Sequence, residues 1–284
     1  MTNVSVIILT YNEELHLQRV LTNVQSFSKE IVIIDSGSTD RTVEIANAFK
    51  SRVYVHPFVN QSSQLNWALD NVSFNGEWIL RLDADEVMTD ELKQELESRL
   101  LVIPEMVSGL YLKRRVWFMG KWIRYGGYYP TSLLRLWRKG YAVCEARKMD
   151  EHMKILSGTT EMATHDIIEN NLRDLTWWID KHNHYASREA QELIELNSLQ
   201  GQSDNIKGSL FGSQEKQKRW IKENIYCRIP LLVRPFLYFL YRYFFKLGFL
   251  DGAQGLVWHV LQGFWYRFLV DAKIYESQKS KKSS

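Results

Sequence analysis

The 284-residue chain contains only two cysteines, Cys144 and Cys227, which lie far apart in sequence. This scarcity excludes a disulfide scaffold and a cysteine-rich zinc cluster, and it suits a reducing cytosol. No basic-then-apolar signal segment precedes the first strand pattern at Val4, so we expect a protein that is not exported. No G-x-G-x-x-G or G-x-x-x-x-G-K-[ST] sequence follows a predicted strand, so the usual backbone cradles for phosphate are missing.

A strong excess of charge is also lacking. The 36 Lys and Arg residues nearly balance the 33 Asp and Glu residues, and a net charge of +3 gives no argument for a nucleic-acid partner. The chain is 45% hydrophobic and 24% charged, a composition that can bury a core. We therefore predict a folded globular protein that does not bind nucleic acid.

Strand-like and helix-like patterns alternate over the first hundred residues. Near-continuous apolar runs predict strands at residues 4–9, 30–35, 53–55 and 78–82, and a helical period follows each of them. Strands of this kind alternating with helices are typical of a mostly parallel sheet that is covered on both faces. The fold class predicted from the residues is therefore α/β.

Polar residues collect where three of these strands end. They are the segments Thr10–Glu13, Asp35–Asp40 and Asp83–Asp85. Each segment alone could be an ordinary helix cap or turn. In parallel sheets, however, ligands bind beyond the carboxyl ends of the strands, so the three together predict a ligand site.

The acid pair in WILRLDADEVM indicates a cation site. Asp83 and Asp85 offer the hard oxygen ligands that suit Mg²⁺ or Mn²⁺, which in turn could neutralise a nucleotide diphosphate. We assign Glu86 to the turn. An EF-hand loop starting at Asp83 fails, because Val87 and Met88 replace the required polar residue and glycine.

Two other functions stay open at this point. LDADEV also matches the D-x-D-x-[TV] pattern of phosphotransferases, although that pattern is expected on the first strand and here follows the fourth. A membrane-bound protein that binds a nucleotide-sugar without catalysis is the other alternative.

The segments SVIILTYNEE, IVIIDSGSTDRT and WILRLDADE, in this order and spacing, resemble the inverting family 2 glycosyltransferases of GT-A fold. The resemblance covers about residues 1–190. The aromatic and basic carboxyl end is similar to bacterial enzymes that build lipopolysaccharide cores and exopolysaccharides. The resemblance implies transfer of a sugar from a UDP-sugar to a lipid-linked glycan, with a divalent cation, Mg²⁺ or Mn²⁺.

The resemblance also implies roles for single residues. The donor-binding set would be Thr10, Tyr11, Asn12, Glu13 and Asp35 for uracil and ribose, Gln64 near the donor, and Asp83, Ala84 and Asp85 as the D-x-D motif. His165 would be a further metal ligand beside Asp83 and Asp85, as in some relatives. Arg135 is expected to face phosphate.

Inversion at an anomeric carbon requires a general base that takes the proton of the acceptor hydroxyl. KMDEHM offers Asp150 and Glu151 where the family places an acidic base motif. Family spacing favours Glu151, and Asp150 stays open.

We predict a catalytic domain over residues 1–200 and a linker with an amphipathic helical region over residues 201–284. Two segments, residues 229–250 and 253–270, are rich in aromatics but interrupted by basic residues, among them Arg234, Arg242 and Lys246. Spanning helices need longer uncharged runs, so we expect helices that lie on an anionic membrane surface with their basic residues towards lipid. A buried helical pair or an oligomer interface is the alternative. The expected location is the cytoplasmic face of a bacterial inner membrane.

Overall fold

The structure, a computed structural model, describes residues 2–145, 152–198 and 226–283. Its strands are β1 (Val4–Thr10), β2 (Glu30–Asp35), β3 (Arg52–Val55), β4 (Trp78–Asp83), β5 (Glu86–Met88), β6 (Val107–Phe118), β7 (Lys121–Ile123), β8 (Thr131–Arg138), β9 (Ala142–Cys144), β10 (Met153–Ile155) and β11 (Thr159–Asn170). Its α-helices are α1 (Glu14–Val24), α2 (Thr42–Ala48), α3 (Gln61–Asn71), α4 (Asp90–Arg99), α5 (Leu175–Ser198), α6 (Arg234–Leu240), α7 (Gly252–Trp258) and α8 (Tyr266–Ser283). Two π-helical segments, Tyr241–Phe245 and His259–Trp265, continue α6 and α7.

The chain divides into two units. The first contains residues 1–120 and 129–172, and the second contains residues 121–128 and 173–284. This division differs from the predicted boundary at residue 200, because Ala186 and Ala190 of α5 pack with Tyr266 and Val270 of α8 in one buried cluster. The end of the predicted catalytic segment therefore belongs with the carboxyl-terminal helices.

The first unit is built on a mixed sheet with the strand order β3-β2-β1-β4-β8-β6-β11-β5. Strands β1 to β4 are parallel where they pair, as predicted. The sheet then continues through β8 and β6, which pair antiparallel, and through β11, which is parallel to β6. The α/β fold class is confirmed, and helices form the carboxyl-terminal region, as expected.

Alternating side chains of the central strands supply a core on each face of the sheet. Ile8 of β1 packs in one buried cluster with Leu17 and Leu21 of α1, whereas its neighbour Ile7 packs in another with Leu65 of α3. Successive residues of a strand point to opposite faces, so an unbroken apolar run such as VSVIIL serves both clusters. This burial holds the strand ends in register at one edge.

The second unit contains the segment 121–128 because polar contacts bind it to the carboxyl-terminal helices. The Asp251 carboxylate accepts hydrogen bonds from the amides of Arg124 (3.2 Å) and Tyr125 (2.9 Å). Gly126 has a φ of +69°, and a Cβ there would lie 1.9 Å from Cε1 of the buried His259. Only glycine fits this position, which explains the first of the two adjacent glycines Gly126 and Gly127.

The basic residues of the aromatic segments do not all face outward, and this part of the sequence prediction was wrong. Arg234 is buried, and its Nε donates to both oxygens of Asp271, at 2.8 and 2.9 Å. Arg242 donates from Nε to the Gly126 carbonyl at 2.5 Å, while Lys246 is exposed. The inward cations satisfy buried acceptors that the sequence pattern does not reveal. None of the helices within residues 2–145, 152–198 and 226–283 combines the length and the apolar run that a transmembrane span requires.

Leu80→Ala tests the core that holds β4. Leu80 is fully buried in the centre of the sheet, so the cavity should lower the free energy of unfolding by about 2–5 kcal/mol. The matched control is Leu101→Ala, since Leu101 is 84% exposed and its loss should change stability by at most about 0.5 kcal/mol. Urea unfolding followed by circular dichroism measures both, and equal effects would contradict the assigned packing.

Candidate active site

Three strand ends meet at one edge of the sheet, as the sequence predicts. Thr10 at the end of β1 is in register with Asp35 at the end of β2, and Leu9 is in register with Asp83 at the end of β4. The Thr10 hydroxyl donates to Asp35 Oδ1 at 2.8 Å. The polar segments that follow β1, β2 and β4 are therefore neighbours in space.

Asp35 organises the turn after β2. Its Oδ2 accepts the amides of Gly37 (2.9 Å) and Ser38 (2.7 Å), and its Oδ1 accepts the hydroxyls of Thr10 and Ser38. Asp35 is itself buried. Its carboxylate thus holds the loop closed.

The turn after β1 is locked to the same loop. Asn12 adopts a left-handed conformation (φ +55°), donates its amide to the Ser38 hydroxyl at 2.8 Å and accepts the Thr39 amide at 2.8 Å. Glu13 lies 2.7 Å from the Nδ1 of His16, which is buried. Tyr11 remains 58% exposed, so its ring is the accessible aromatic surface of this turn.

Gln64 reaches the same edge from α3. Its side chain is buried, and Nε2 donates to the Ser36 hydroxyl at 2.7 Å. Asn66 turns elsewhere, exchanging hydrogen bonds with the backbone of Cys144. Of these two amide residues, Gln64 is therefore the one that joins the polar edge.

A buried arginine holds the first aspartate of the D-x-D motif. Arg135 Nη2, from β8, donates to Asp83 Oδ2 at 2.8 Å and to Glu86 Oε1 at 2.6 Å. Glu86 Oε2 accepts the Asp83 amide at 3.0 Å, which closes a ring of contacts around the turn. Arg81 lies 3.4 Å from the other Asp83 oxygen. Both oxygens of Asp83 therefore face guanidinium groups.

The two carboxylates respond in opposite ways to this environment. Burial would raise the pKa of Asp83, but the Arg135 and Arg81 guanidiniums hold it well below its usual range. Burial raises the pKa of Glu86, and the neighbouring Asp83 charge adds to the rise against the effect of Arg135. Asp83 thus stays ionised, while Glu86 retains its proton more readily than an ordinary glutamate.

Asp85 is held by a second set of contacts. Its backbone carbonyl accepts Arg19 Nη2 at 3.1 Å and the Asn170 amide at 3.0 Å. Asn171 Nδ2 donates to Asp85 Oδ2 at 3.0 Å. Ala84 between the two aspartates is buried in the apolar core, which anchors the turn. The carboxylate of Asp85 is only partly buried, and Oδ1 is not tied by these contacts.

His165 contacts Glu95 of α4 and not the aspartates of the D-x-D motif. Its Nδ1 is 2.9 Å from Glu95 Oε2 of α4, and its own amide donates to the same oxygen at 3.0 Å. Within residues 2–145, 152–198 and 226–283, no three His, Cys, Asp or Glu side chains are grouped as metal ligands. His165 as a ligand stays a prediction without support from this arrangement. Asp150 and Glu151 fall outside the described residues.

Sequence patterns did not reveal how the D-x-D motif is supported. Arg19, Asn171 and Arg135 contact the D-x-D turn from 66, 86 and 52 positions away in the chain. Arg135 was expected to face phosphate, yet its Nη2 faces two carboxylates. The only available signal was the excess of acids at 83–86, which demands a compensating cation without naming it.

A family model described as Glycosyl transferase family 2 matches residues 5–149. The chain belongs to this family. It is therefore a glycosyltransferase, and family membership favours this function over the phosphotransferase alternative.

Several relatives match along nearly the whole chain. An uncharacterized glycosyltransferase of Rickettsia typhi is 26% identical, covering 97% of this chain and 88% of the relative. The lipopolysaccharide core biosynthesis glycosyltransferase LpsC of Rhizobium meliloti is also 26% identical, covering 96% and 92%. Both comparisons include the carboxyl-terminal helices as well as the family segment.

Among solved structures, the chain is similar to glucosyl-3-phosphoglycerate synthase from Mycobacterium tuberculosis. Its complex with Mn²⁺, UDP-glucose and phosphoglyceric acid gives a TM-score of 0.34 at 24% identity, covering 39% of this chain and 43% of that one. Its complex with Mn²⁺, UDP and glucosyl-3-phosphoglycerate gives 0.46 at 17% identity, covering 68% and 80%.

Glu86→Ala tests the ring of contacts around Arg135. The substitution removes one carboxylate from a buried guanidinium, so the free energy of unfolding should fall by about 3 kcal/mol. Glu97→Ala, which removes an exposed acid from α4, is the control and should have almost no effect. Denaturant unfolding of both variants is the measurement, and equal stabilities would show that Glu86 does not support the turn.

Proposed function

We propose that this glycosyltransferase moves a sugar from a UDP-sugar to a lipid-linked glycan with inversion at the anomeric carbon. The observation that carries the proposal is the meeting of Thr10, Asp35 and Asp83 at one sheet edge in a family 2 chain. The name of the Rhizobium meliloti relative supports an acceptor in bacterial lipopolysaccharide or related surface polysaccharide synthesis.

The donor would lie against the two turns that Asp35 and Asn12 hold closed. Tyr11 is the exposed aromatic ring of this edge and is suited to stack on uracil. Thr10, Glu13 and Gln64 would support the turns behind it, since their polar groups lie at or near the same edge.

A divalent cation fits the acid pair unequally. Asp85 is the better ligand, because one of its carboxylate oxygens is free of the contacts described above, whereas both oxygens of Asp83 face arginines. Mg²⁺ and Mn²⁺ commonly use one or two carboxylates together with substrate phosphates, so a single firm protein ligand suffices. When bound, the cation would stabilise negative charge on the UDP leaving group.

Arg135 would act on the donor through Asp83. Arg135 would keep the Asp83 carboxylate ionised and oriented. Asp83 could then accept a hydrogen bond from a ribose hydroxyl of the donor, as the family resemblance implies. A direct contact of Arg135 with phosphate receives no support, because its Nη2 already bridges two carboxylates.

The chemical step needs a carboxylate that takes the proton of the acceptor hydroxyl as its oxygen attacks the anomeric carbon. The C–O bond to UDP breaks as the new glycosidic bond forms on the opposite face, which inverts the configuration. Glu151 is the proposed base and Asp150 the second candidate, on the family resemblance of KMDEHM. We propose the cytoplasmic face of a bacterial inner membrane as the place of action, where a lipid-linked acceptor would be available.

Asp85→Ala should abolish the gain in UDP affinity that Mn²⁺ provides. The weak binding of UDP in the absence of Mn²⁺ should remain unchanged. Asn171→Ala should weaken Mn²⁺-dependent UDP binding by roughly 10–100-fold, because it releases the carboxylate from its hydrogen-bond donor. Isothermal titration calorimetry with and without Mn²⁺ measures both effects. Asp70→Ala, an exposed acid of α3, is the control. Unchanged Mn²⁺ dependence in Asp85→Ala would remove Asp85 as the ligand.

Glu151→Ala should lower turnover by about 10²–10⁴-fold while UDP binding with Mn²⁺ survives, because a general base acts on the acceptor and not on the donor. Asp150→Ala is the paired variant, and the larger loss identifies the base. The assay is UDP release from a panel of UDP-sugars with membrane lipid extract as acceptor. If neither substitution slows transfer, both residues are excluded as the base, and UDP binding without any turnover would favour the non-catalytic alternative.

A further inference from the structure

Apolar side chains line the exposed side of the helix that α6 and the following π-helical segment form. Seven residues share this position: Val233, Phe236, Leu237, Leu240, Tyr241, Phe244 and Phe245, each between 44% and 79% exposed. They recur at the spacing of three and four residues that places side chains on one helix face. A helix of a soluble protein turns such a face inward, whereas this one turns it outward.

A neighbouring helix and the turn before it also expose apolar side chains. Leu256 and Val260, four residues apart, are exposed on the helix that begins with α7, and Leu247, Phe249 and Leu250 are exposed in the turn between the helices. The rings of Phe236 and Phe264 lie 4.6 Å apart, so the two helices are in contact. We call the exposed apolar side chains between Val233 and Val260 the apolar stripe.

The charged groups of this region are arranged so that the apolar stripe itself is nearly neutral. Arg234 is bound by Asp271, and the Arg242 guanidinium lies 3.7 Å from the centre of the Tyr128 ring, beneath the helix surface. Arg228 and Lys246 are exposed. Asp251 is the only acid in residues 226–260, and it is buried against backbone amides.

This pattern identifies the occupant. The helical segment from 233 to 245 is about 20 Å long, too short to span a bilayer of ~30 Å. The two exposed cations complement lipid phosphates, whereas a second copy of the apolar stripe would offer them no exposed acid. We propose that the apolar stripe inserts flat into the boundary between headgroups and acyl chains of a lipid bilayer.

Because Arg234 and Arg242 point inward, membrane binding should depend little on salt. Apolar and aromatic side chains supply the main contact, and Lys246 adds a weaker attraction to phosphate. Binding should therefore persist on neutral lipid and at high salt, unlike attachment through a row of basic residues, which salt screens. The inference rests on the proposed function only for its purpose, the approach to a lipid-linked acceptor.

The test is co-sedimentation of the full-length protein with phosphatidylcholine vesicles, with and without phosphatidylglycerol, at low and high salt. The wild type should sediment with both kinds of vesicle, and high salt should reduce binding less than about threefold. Leu237→Glu combined with Phe245→Glu should weaken binding at least about tenfold, since both charges would enter the apolar boundary. Leu101→Glu combined with Val102→Glu, at sites 84% and 80% exposed in the first unit, is the matched control and should bind as the wild type does.

Three outcomes would overturn the proposal. Wild-type protein that stays in solution excludes the bilayer. Binding only to anionic vesicles and only at low salt assigns attachment to cations. A dimer in light scattering that the paired glutamates dissociate, without vesicle binding, assigns the apolar stripe to a second copy. Vesicle binding needs neither UDP nor acceptor, so its failure is distinct from a failure of sugar transfer. A far-ultraviolet circular dichroism spectrum and a urea unfolding midpoint equal to those of the wild type confirm that the glutamate variants fold.

Discussion

The buried guanidinium of Arg135 is the interaction on which the polar edge of the first unit depends. Two carboxylates, Asp83 and Glu86, stand at the end of an apolar strand and would repel each other without it. With Arg135 between them, Asp83 remains ionised and the backbone between β4 and β5 closes into a tight turn. The strand ends of β1 and β2 then have a charged and ordered neighbour.

Local patterns predicted the parts of this arrangement that local forces determine. Apolar runs such as residues 4–9 and 78–82 identified central strands, because a strand buried on both faces needs such residues at every position. The partners Arg19 and Asn171 were not predictable in this way. Asn171 reaches the turn through the pairing of β5 with β11, which joins segments about eighty residues apart. Arg19 reaches it from α1, 66 positions away, and neither contact leaves a periodic trace.

The carboxyl-terminal helices show a different limit. Their aromatic and basic composition correctly indicated helices, but it misplaced two of the cations. Periodicity identifies the members of one helix face without telling which face is outward. Arg234 turned inward because Asp271, on a later helix, offers it a buried carboxylate.

The support of Asp85 has a consequence for the order in which the protein matures. All three polar strand ends lie before residue 149, within the segment that the family model matches. The amide of Asn170 and the side chain of Asn171 come later, at the end of β11. A nascent chain that ends shortly after residue 149 therefore carries Arg19 and Arg135 but lacks the two later hydrogen-bond donors to Asp85. The full set of contacts around Asp85 can form only after residue 171 has left the ribosome, late in the synthesis of the first unit, which ends at residue 172.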